Sequence, residues 1–398
     1  MKFKTLSAAV AVALLSASAS AVDFNGYARS GVGASADGGM ITAKDGVSGV
    51  GRLGNEADTY AELALGQNVF DDNGVKFSVH TLIAYGLGDN KADWAESGAM
   101  REMYAKASGV LGTSTLWAGK RYYQRHDIHI VDDYYWAING EGAGIENIAL
   151  GNTALSLAWF QRGGSGGGEN TNILDARLAG IQMWKNASLE VGVTSWMPNA
   201  ESDADDASTM LTAEYTQGDF FGGFNKVVIQ AADNGLANSF ASRGDGSWIG
   251  DTSNESGDAT AFRIYNHGVV SLSDKVNLAY TANFVSGSDL VSNDGDPAKA
   301  AAKSGDLTMY NLVVRPQYAW TENMKTQLEA GVYVKEEGTV DTSEAKFTIA
   351  QSWSPASGFW SRPEIRVFAT YLTDLEDGTY ANGEDDALSV GVQMEAWW

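Results

Sequence analysis

From Leu388 to the carboxyl terminus the chain alternates strictly with period two. Leu388, Val390, Val392, Met394, Ala396 and Trp398 fall on one side, and Ser389, Gly391, Gln393, Glu395 and Trp397 on the other. Successive side chains of a strand point to opposite faces, so this segment is a strand with one apolar and one polar face. The pattern sends the two adjacent tryptophans in opposite directions, and a slip of one residue would exchange them. Leu155-Leu157-Trp159, Val227-Ile229-Ala231, Leu328-Ala330-Val332 and Ile365-Val367-Ala369-Tyr371 repeat the apolar stripe. Clusters of Gly, Asn, Asp and Ser separate the stripes, as turns separate the strands of an all-β chain. There is no internal repeat and no domain boundary.

No run of about 18 apolar residues follows the amino terminus, so the pattern contains no membrane-spanning helix. A transmembrane barrel escapes such a search, because its lipid-facing and lumen-facing residues alternate. The composition suits a barrel: 46 Gly, 12 Trp, 16 Tyr and 14 Phe against 5 Pro. The chain opens with Lys2 and Lys4, then an apolar run from Leu6 to Leu15, then Ala19-Ser20-Ala21. These are the three parts of a secretory signal peptide, expected to span residues 1–21 and leave about 377 residues, 22–398, as one barrel domain. The sequence has no cysteine, so stability must come without disulfides; a closed barrel needs none, since every strand edge is paired. The net charge of −23 excludes nucleic-acid binding through a basic surface. Much of the acid lies in tracts 199–208, 244–258 and 286–306, expected with the Gly-rich 163–170 to be loops outside the cell.

The polar faces are unusual for a surface exposed to open water. Tyr27 and Arg29 share one face of an early strand; Tyr60 and Glu62 share one face of the next. The stretch from Trp117 to Trp136 mixes Arg121, Arg125, His126, Asp127, His129, Asp132 and Asp133 with tyrosines, Ile128, Ile130 and Val131. From Tyr122 onward neither a helical nor a two-residue period organises it, so it is expected to be a long folded loop lining a polar cavity.

The motifs G-K-R-Y-Y-Q-R-H-D and D-D-Y-Y-W in this stretch resemble the third loop of the maltoporins, trimeric sugar-specific porins of the outer membrane. The likeness extends to V-D-F-N-G-Y-A-R-S-G, R-L-G-N-E, G-F-N-K, W-S-R-P-E-I-R-V-F-A-T-Y and the terminal Q-M-E-A-W-W. Strand pattern alone allows roughly 16 to 20 strands. The resemblance implies eighteen antiparallel strands, a homotrimer in lipid and lipopolysaccharide, and an inward-folded constriction loop. It also implies a disulfide near the amino terminus; Ala57 stands there instead, which leaves the first surface loop looser.

A sugar ring presents apolar C–H faces and an equator of hydroxyls, so aromatic rings suit the faces and charged groups the equator. The resemblance implies an aromatic slide of Tyr27, Tyr60, Trp94, Phe224, Trp360 and Trp397, with Trp94 contributed by a neighbouring subunit. Its polar partners would be Arg29, Arg52, Glu62, Arg101, Arg125, Asp127 and Asp132, with Tyr134 narrowing the pore. Arginine offers fixed donors to adjacent hydroxyls, and carboxylates accept from them. For His129 and Asn225, sugar contact and a structural hydrogen bond remain equal alternatives. The expected function is diffusion of maltose and maltooligosaccharides, with no cofactor, metal or catalytic residue. The alternatives are a porin for sucrose or aryl glucosides, a general diffusion porin, and a secreted lectin. An enzyme is disfavoured: H-D-x-H alone is weak, and no H-E-x-x-H is present. The external loops leave a role in phage binding open.

Overall fold

The computed structural model describes residues 22–87, 98–163, 170–198, 207–242, 258–292 and 294–398. Apart from the two-residue ladder at Gly38–Gly39, eighteen strands form one antiparallel sheet, each bonded to its sequence neighbours. The first, Asp23–Ser35, pairs with both Thr59–Asp72 and the last, Asp386–Trp397, which closes the barrel. Among the described residues no helix is long and apolar enough to cross a membrane; the crossing is made by strands.

The alternation read from the sequence sorts the wall. On Asp386–Trp397, Leu388, Val390, Val392 and Met394 are exposed on the outer face, whereas Ser389, Gln393 and Glu395 are buried inside. On Met324–Glu337 the inward residues Lys325, Gln327 and Glu329 are buried, and Leu328 faces out. Hydrocarbon outside and ions inside invert the usual soluble arrangement and match the demands of lipid. At the end that carries both termini most strands join through two-residue turns, with 320–323 and 354–363 longer. Asn73-Gly74 and Phe221-Gly222 each have positive φ at both positions, the geometry that matches strand twist in tight hairpins. The longer connections, including 36–58, 294–304 and 375–385, gather at the opposite end.

Among the described residues, two segments that border the later site fold into the interior. The stretch from Tyr122 departs from the expected loop: it is a bulged hairpin of strands Ser114–Ile128 and Asp133–Leu150 around a 3-10 turn, His129–Val131. Register shifts at Tyr123/His126 and His126/Ile128 break the alternation, and both faces of the hairpin are inside the protein, so no hydrophobic period survives. Ile128, Ile130, Val131, Tyr135 and Trp136 are buried. Wall residues hold its backbone: Arg177 donates to the Gln124 carbonyl, and Gln230 and Arg263 both donate to that of Tyr135.

The second is the connection after the first strand, and here the expectation of a loosened surface loop is corrected. Leu53 is fully buried; its N–H donates to Glu329 at 2.9 Å and its carbonyl accepts from Lys346 at 2.7 Å and Thr348 at 3.0 Å. Gly54, at φ +62°, lies so close to the wall that a Cβ would meet Thr370 Oγ1 at 2.2 Å. Asn55 ties the segment to itself through the Gly46 and Gly51 carbonyls and the Ala43 N–H. Polar docking thus does the work that a disulfide would do, and Ala57 is itself buried. Of the acidic tracts, 286–306 ends a strand and forms the short helix Pro297–Lys303, capped by Asp296. Residues 199–206, 243–257 and 164–169 lie outside the described residues, as do 1–21.

Candidate functional site

Strand register brings the first expected residues together. Tyr27 stands opposite Trp397 on one side and Glu62 on the other, and Arg29 stands between Glu395 and Tyr60. The Tyr27 and Tyr60 rings lie 6.2 Å apart, with the Arg29 guanidinium 5.3 Å from the Tyr60 ring. Trp397 continues the run to Trp360 at 6.4 Å, and the His129 ring lies 5.3 Å from Trp360 and 5.7 Å from Trp397. Trp360 comes from the connection between Val340–Trp353 and Glu364–Asp374, at the short-turn end.

These residues line two adjoining cavities. The first, of about 360 Å³, is bounded by Tyr27, Arg29, Arg52, Tyr60, Glu62, Arg101, Arg125, Asp127, Asp132, Tyr134 and Trp397, together with Tyr122, His129 and Asn139. The second, of about 380 Å³, shares Asp127, His129 and Trp397 with it and adds Phe224, Trp360, Phe359, Lys226, His267 and Tyr280. Every expected slide and track residue among the described ones lines one or both; Trp94 lies outside them. The sequence reading missed Tyr122, Asn139, Lys226, His267 and Tyr280. Lys226 was within reach, two residues from Phe224 on the same face, whereas His267 and Tyr280 depend on register with distant strands.

The charged groups are held before any ligand arrives. Arg29 donates to Asp58 through two nitrogens, at 2.9 and 2.7 Å, and pairs with Glu56 at 3.3 Å. Arg52 is 3 % exposed; it pairs with Glu56 at 2.9 Å and Glu395 at 3.3 Å and donates to the Tyr27 hydroxyl at 2.7 Å. It therefore braces Tyr27 as much as it faces the cavity. The Tyr60 hydroxyl donates to Glu62 at 2.6 Å. Arg125 is sandwiched between Tyr122, 4.5 Å from its ring centroid, and Tyr134 at 4.3 Å, and Tyr134 donates to Asp132 at 3.2 Å. These two cation–π contacts restrict the guanidinium at the wall of the cavity that it lines. Behind Trp397, Arg362 stacks 4.3 Å from its ring and pairs with Glu395 at 2.7 Å. Burial, reinforced by the Arg52 guanidinium, holds the His129 imidazole well below its usual value and therefore neutral. Among the described residues, no group of three or more His, Cys, Asp or Glu side chains could hold a metal ion.

The family model of the LamB porin matches residues 22–398. A maltoporin of Hahella chejuensis is 43% identical over 411 residues, covering 100% of this chain and 98% of the relative. The chain belongs to the LamB porin family. A maltoporin of Photobacterium profundum is 37% identical over 434 residues, covering 100% of the chain and 99% of the relative. Of solved structures, the outer membrane protein OpdK of Pseudomonas aeruginosa matches with a TM-score of 0.55 at 11% identity, over 95% of this chain and 99% of that one. That likeness speaks for the barrel alone. A LamB porin is a channel and not an enzyme, and its place is the outer membrane of a Gram-negative cell.

Proposed function

We propose that this LamB porin is a sugar-specific channel for maltose and maltooligosaccharides, which slide on Tyr60, Tyr27, Trp397, Trp360 and Phe224 while their hydroxyls exchange partners along the facing charges. The observation that carries the reading is the aromatic run through two cavities that share Trp397. Each ring gives a sugar an apolar platform without holding a particular hydroxyl. Arg29, Arg101, Arg125, Glu62, Asp127 and Asp132 supply donors and acceptors of both signs, so a diol is satisfied in successive positions. A channel must release what it binds, which calls for a site of roughly millimolar strength, about −4 kcal/mol. Tyr134, pinned by Arg125, sets the narrow point. Trp94 would extend the slide.

The same reading includes removal of residues 1–21 as a signal peptide, which the start of the family match at residue 22 supports. It also includes assembly as a homotrimer surrounded by lipid and lipopolysaccharide. On the outer face in mid-strand, Lys120 stands opposite Met103 and lies 3.7 Å from Glu141. A lysine at the bilayer midplane costs about 2–4 kcal/mol, so this pair favours a protein neighbour over hydrocarbon. The test is conductance of the purified protein in planar bilayers, titrated with maltooligosaccharides, sucrose and raffinose. Current block that strengthens with maltooligosaccharide length supports the proposal. Preferential block by sucrose would reassign the sugar, and no block by any of them would make the chain a general diffusion porin.

A further inference from the structure

The four arginines of the polar track, Arg29, Arg52, Arg101 and Arg125, all line the first slide cavity, and none lines the second. Yet the second holds the aromatic platforms Phe224 and Trp360 and shares Trp397. A sugar unit stacked there still has an equator of hydroxyls to satisfy. Among the described residues, Lys226 is the one lysine or arginine lining this cavity.

Lys226 is held in place by the wall and by the hairpin together. Strand alternation puts it on the lumen face with Phe224, two residues and roughly 6–7 Å along Gly223–Asp233. Its Nζ donates to Glu214 of the adjoining strand at 2.7 Å. Glu214 is 3 % exposed and is fixed in turn by His126 and the Tyr135 hydroxyl of the hairpin, each at 2.7 Å. The carboxylate therefore aims the ammonium without using it up. An ammonium carries three donors; among the described residues Glu214 is the one group that this ammonium bonds, and the side chain stays 26 % exposed. His267, which lines the same cavity, is 5 % exposed and has its Nε2 at 3.5 Å from the Tyr135 hydroxyl, so it offers less. Asp127 lines the cavity as well, close enough for its charge and that of Lys226 to act on one another. A diol on Phe224 thus meets a donor in Lys226 and an acceptor in Asp127.

We infer that Lys226 is a specificity-determining residue of the channel: its ammonium donates to a hydroxyl of the sugar unit stacked on Phe224, and so favours oligosaccharides long enough to fill both cavities. The inference rests on the proposed sugar-channel function and deepens it. A disaccharide is held by the arginines of the first cavity and leaves Lys226 unused. A hexasaccharide reaches past Trp397, the ring common to both cavities, and engages it. Glu214 is the positioning residue behind the ammonium.

The experiment titrates current block in planar bilayers with maltose and with maltohexaose. It compares the unaltered channel with Lys226→Met, Lys226→Gln, Phe224→Ala and the double variant Lys226→Met with Phe224→Ala. In Lys226→Met, Glu214 keeps its bonds from His126 and Tyr135; Lys226→Gln also retains a neutral donor for it, so the test survives a poorly folded methionine variant. Lys226→Met is expected to lower maltohexaose affinity about three- to tenfold, the worth of one hydrogen bond, and maltose affinity by less than about twofold. Lys226→Gln should show the same dependence on length more weakly. On the Phe224→Ala background the maltohexaose loss should shrink to about twofold or less, because the unit that Lys226 contacts no longer stacks there. Equal losses for the two sugars, full additivity with Phe224→Ala, or unchanged maltohexaose block would overturn the role of Lys226 alone. Absence of block by either sugar in the unaltered protein would instead overturn the channel reading beneath it.

Discussion

Replacing each of the two terminal tryptophans with alanine tests the lumen assignment most directly, because the two rings are adjacent in sequence and opposite in direction. The Trp397 ring borders both slide cavities, stands 6.4 Å from Trp360 and rests on the Arg362 guanidinium at 4.3 Å. The Trp398 ring is 47% exposed on the outer face and packs on Phe24 at 5.6 Å. Its backbone exchanges a pair of 3.2 Å hydrogen bonds with Gly26, which an alanine would retain. Gly26 makes room for it: a Cβ there would meet Trp398 Cζ2 at 2.3 Å. Trp397→Ala removes one stacking platform. Stacking of a nucleic-acid base on an aromatic ring, a comparable face-to-face contact, is worth about 1–3 kcal/mol. Maltohexaose affinity should therefore fall about tenfold, within a range of roughly five- to a hundredfold. Folding should survive, since Arg362 keeps its bond to Glu395. Trp398→Ala should lower the yield of heat-resistant trimer while leaving sugar block in the assembled channels nearly unchanged. Both quantities are measured side by side, trimer yield by heat-modified gel mobility and affinity by current block. The reverse pattern would refute the register and with it the slide.

Tyr134→Ala removes the ring that pins Arg125 and should raise single-channel conductance while weakening discrimination among sugars; unchanged conductance and block would remove the hairpin from the narrow point. Glu329→Gln leaves Arg315 and Lys346, bonded to it at 2.5 and 2.6 Å, as buried cations without their counter-charge. By the usual cost of breaking a buried ion pair, it should destabilise the barrel by about 3–5 kcal/mol in reversible unfolding, and a loss below about 1 kcal/mol would contradict the network. His129 is neutral when folded, whereas the unfolded chain protonates it near its ordinary value of about 6.5. Its contribution to stability is thus present above that pH and lost as the pH falls below it. His129→Gln should flatten the decline in unfolding midpoint between pH 7.5 and pH 5, and an identical decline in both proteins would show that the imidazole is not held neutral.

On the unbulged stripes the direction of the wall residues was decided by the sequence alone. Alternation with a period of two is local, so it places Trp397 inside and Trp398 outside, and Tyr27 with Arg29, before any partner strand is known. The aromatic and charged motifs were legible for a related reason, since a polar face rich in rings has little use in open solvent. Ring closure was decided only by the tertiary structure: it needs the register of Asp23–Ser35 against Asp386–Trp397, residues separated by nearly the whole chain. The fate of the first connection was also undecided locally. It reads as a loop lacking a disulfide, yet Leu53 and Gly54 are bound by Glu329, Lys346, Thr348 and Thr370 from strands far along the chain. The central hairpin concealed its strands for the same reason. Buried on both faces and bulged, it has no solvent side to give it a period, and its shape is set by the Arg177, Gln230 and Arg263 side chains reaching it from the wall.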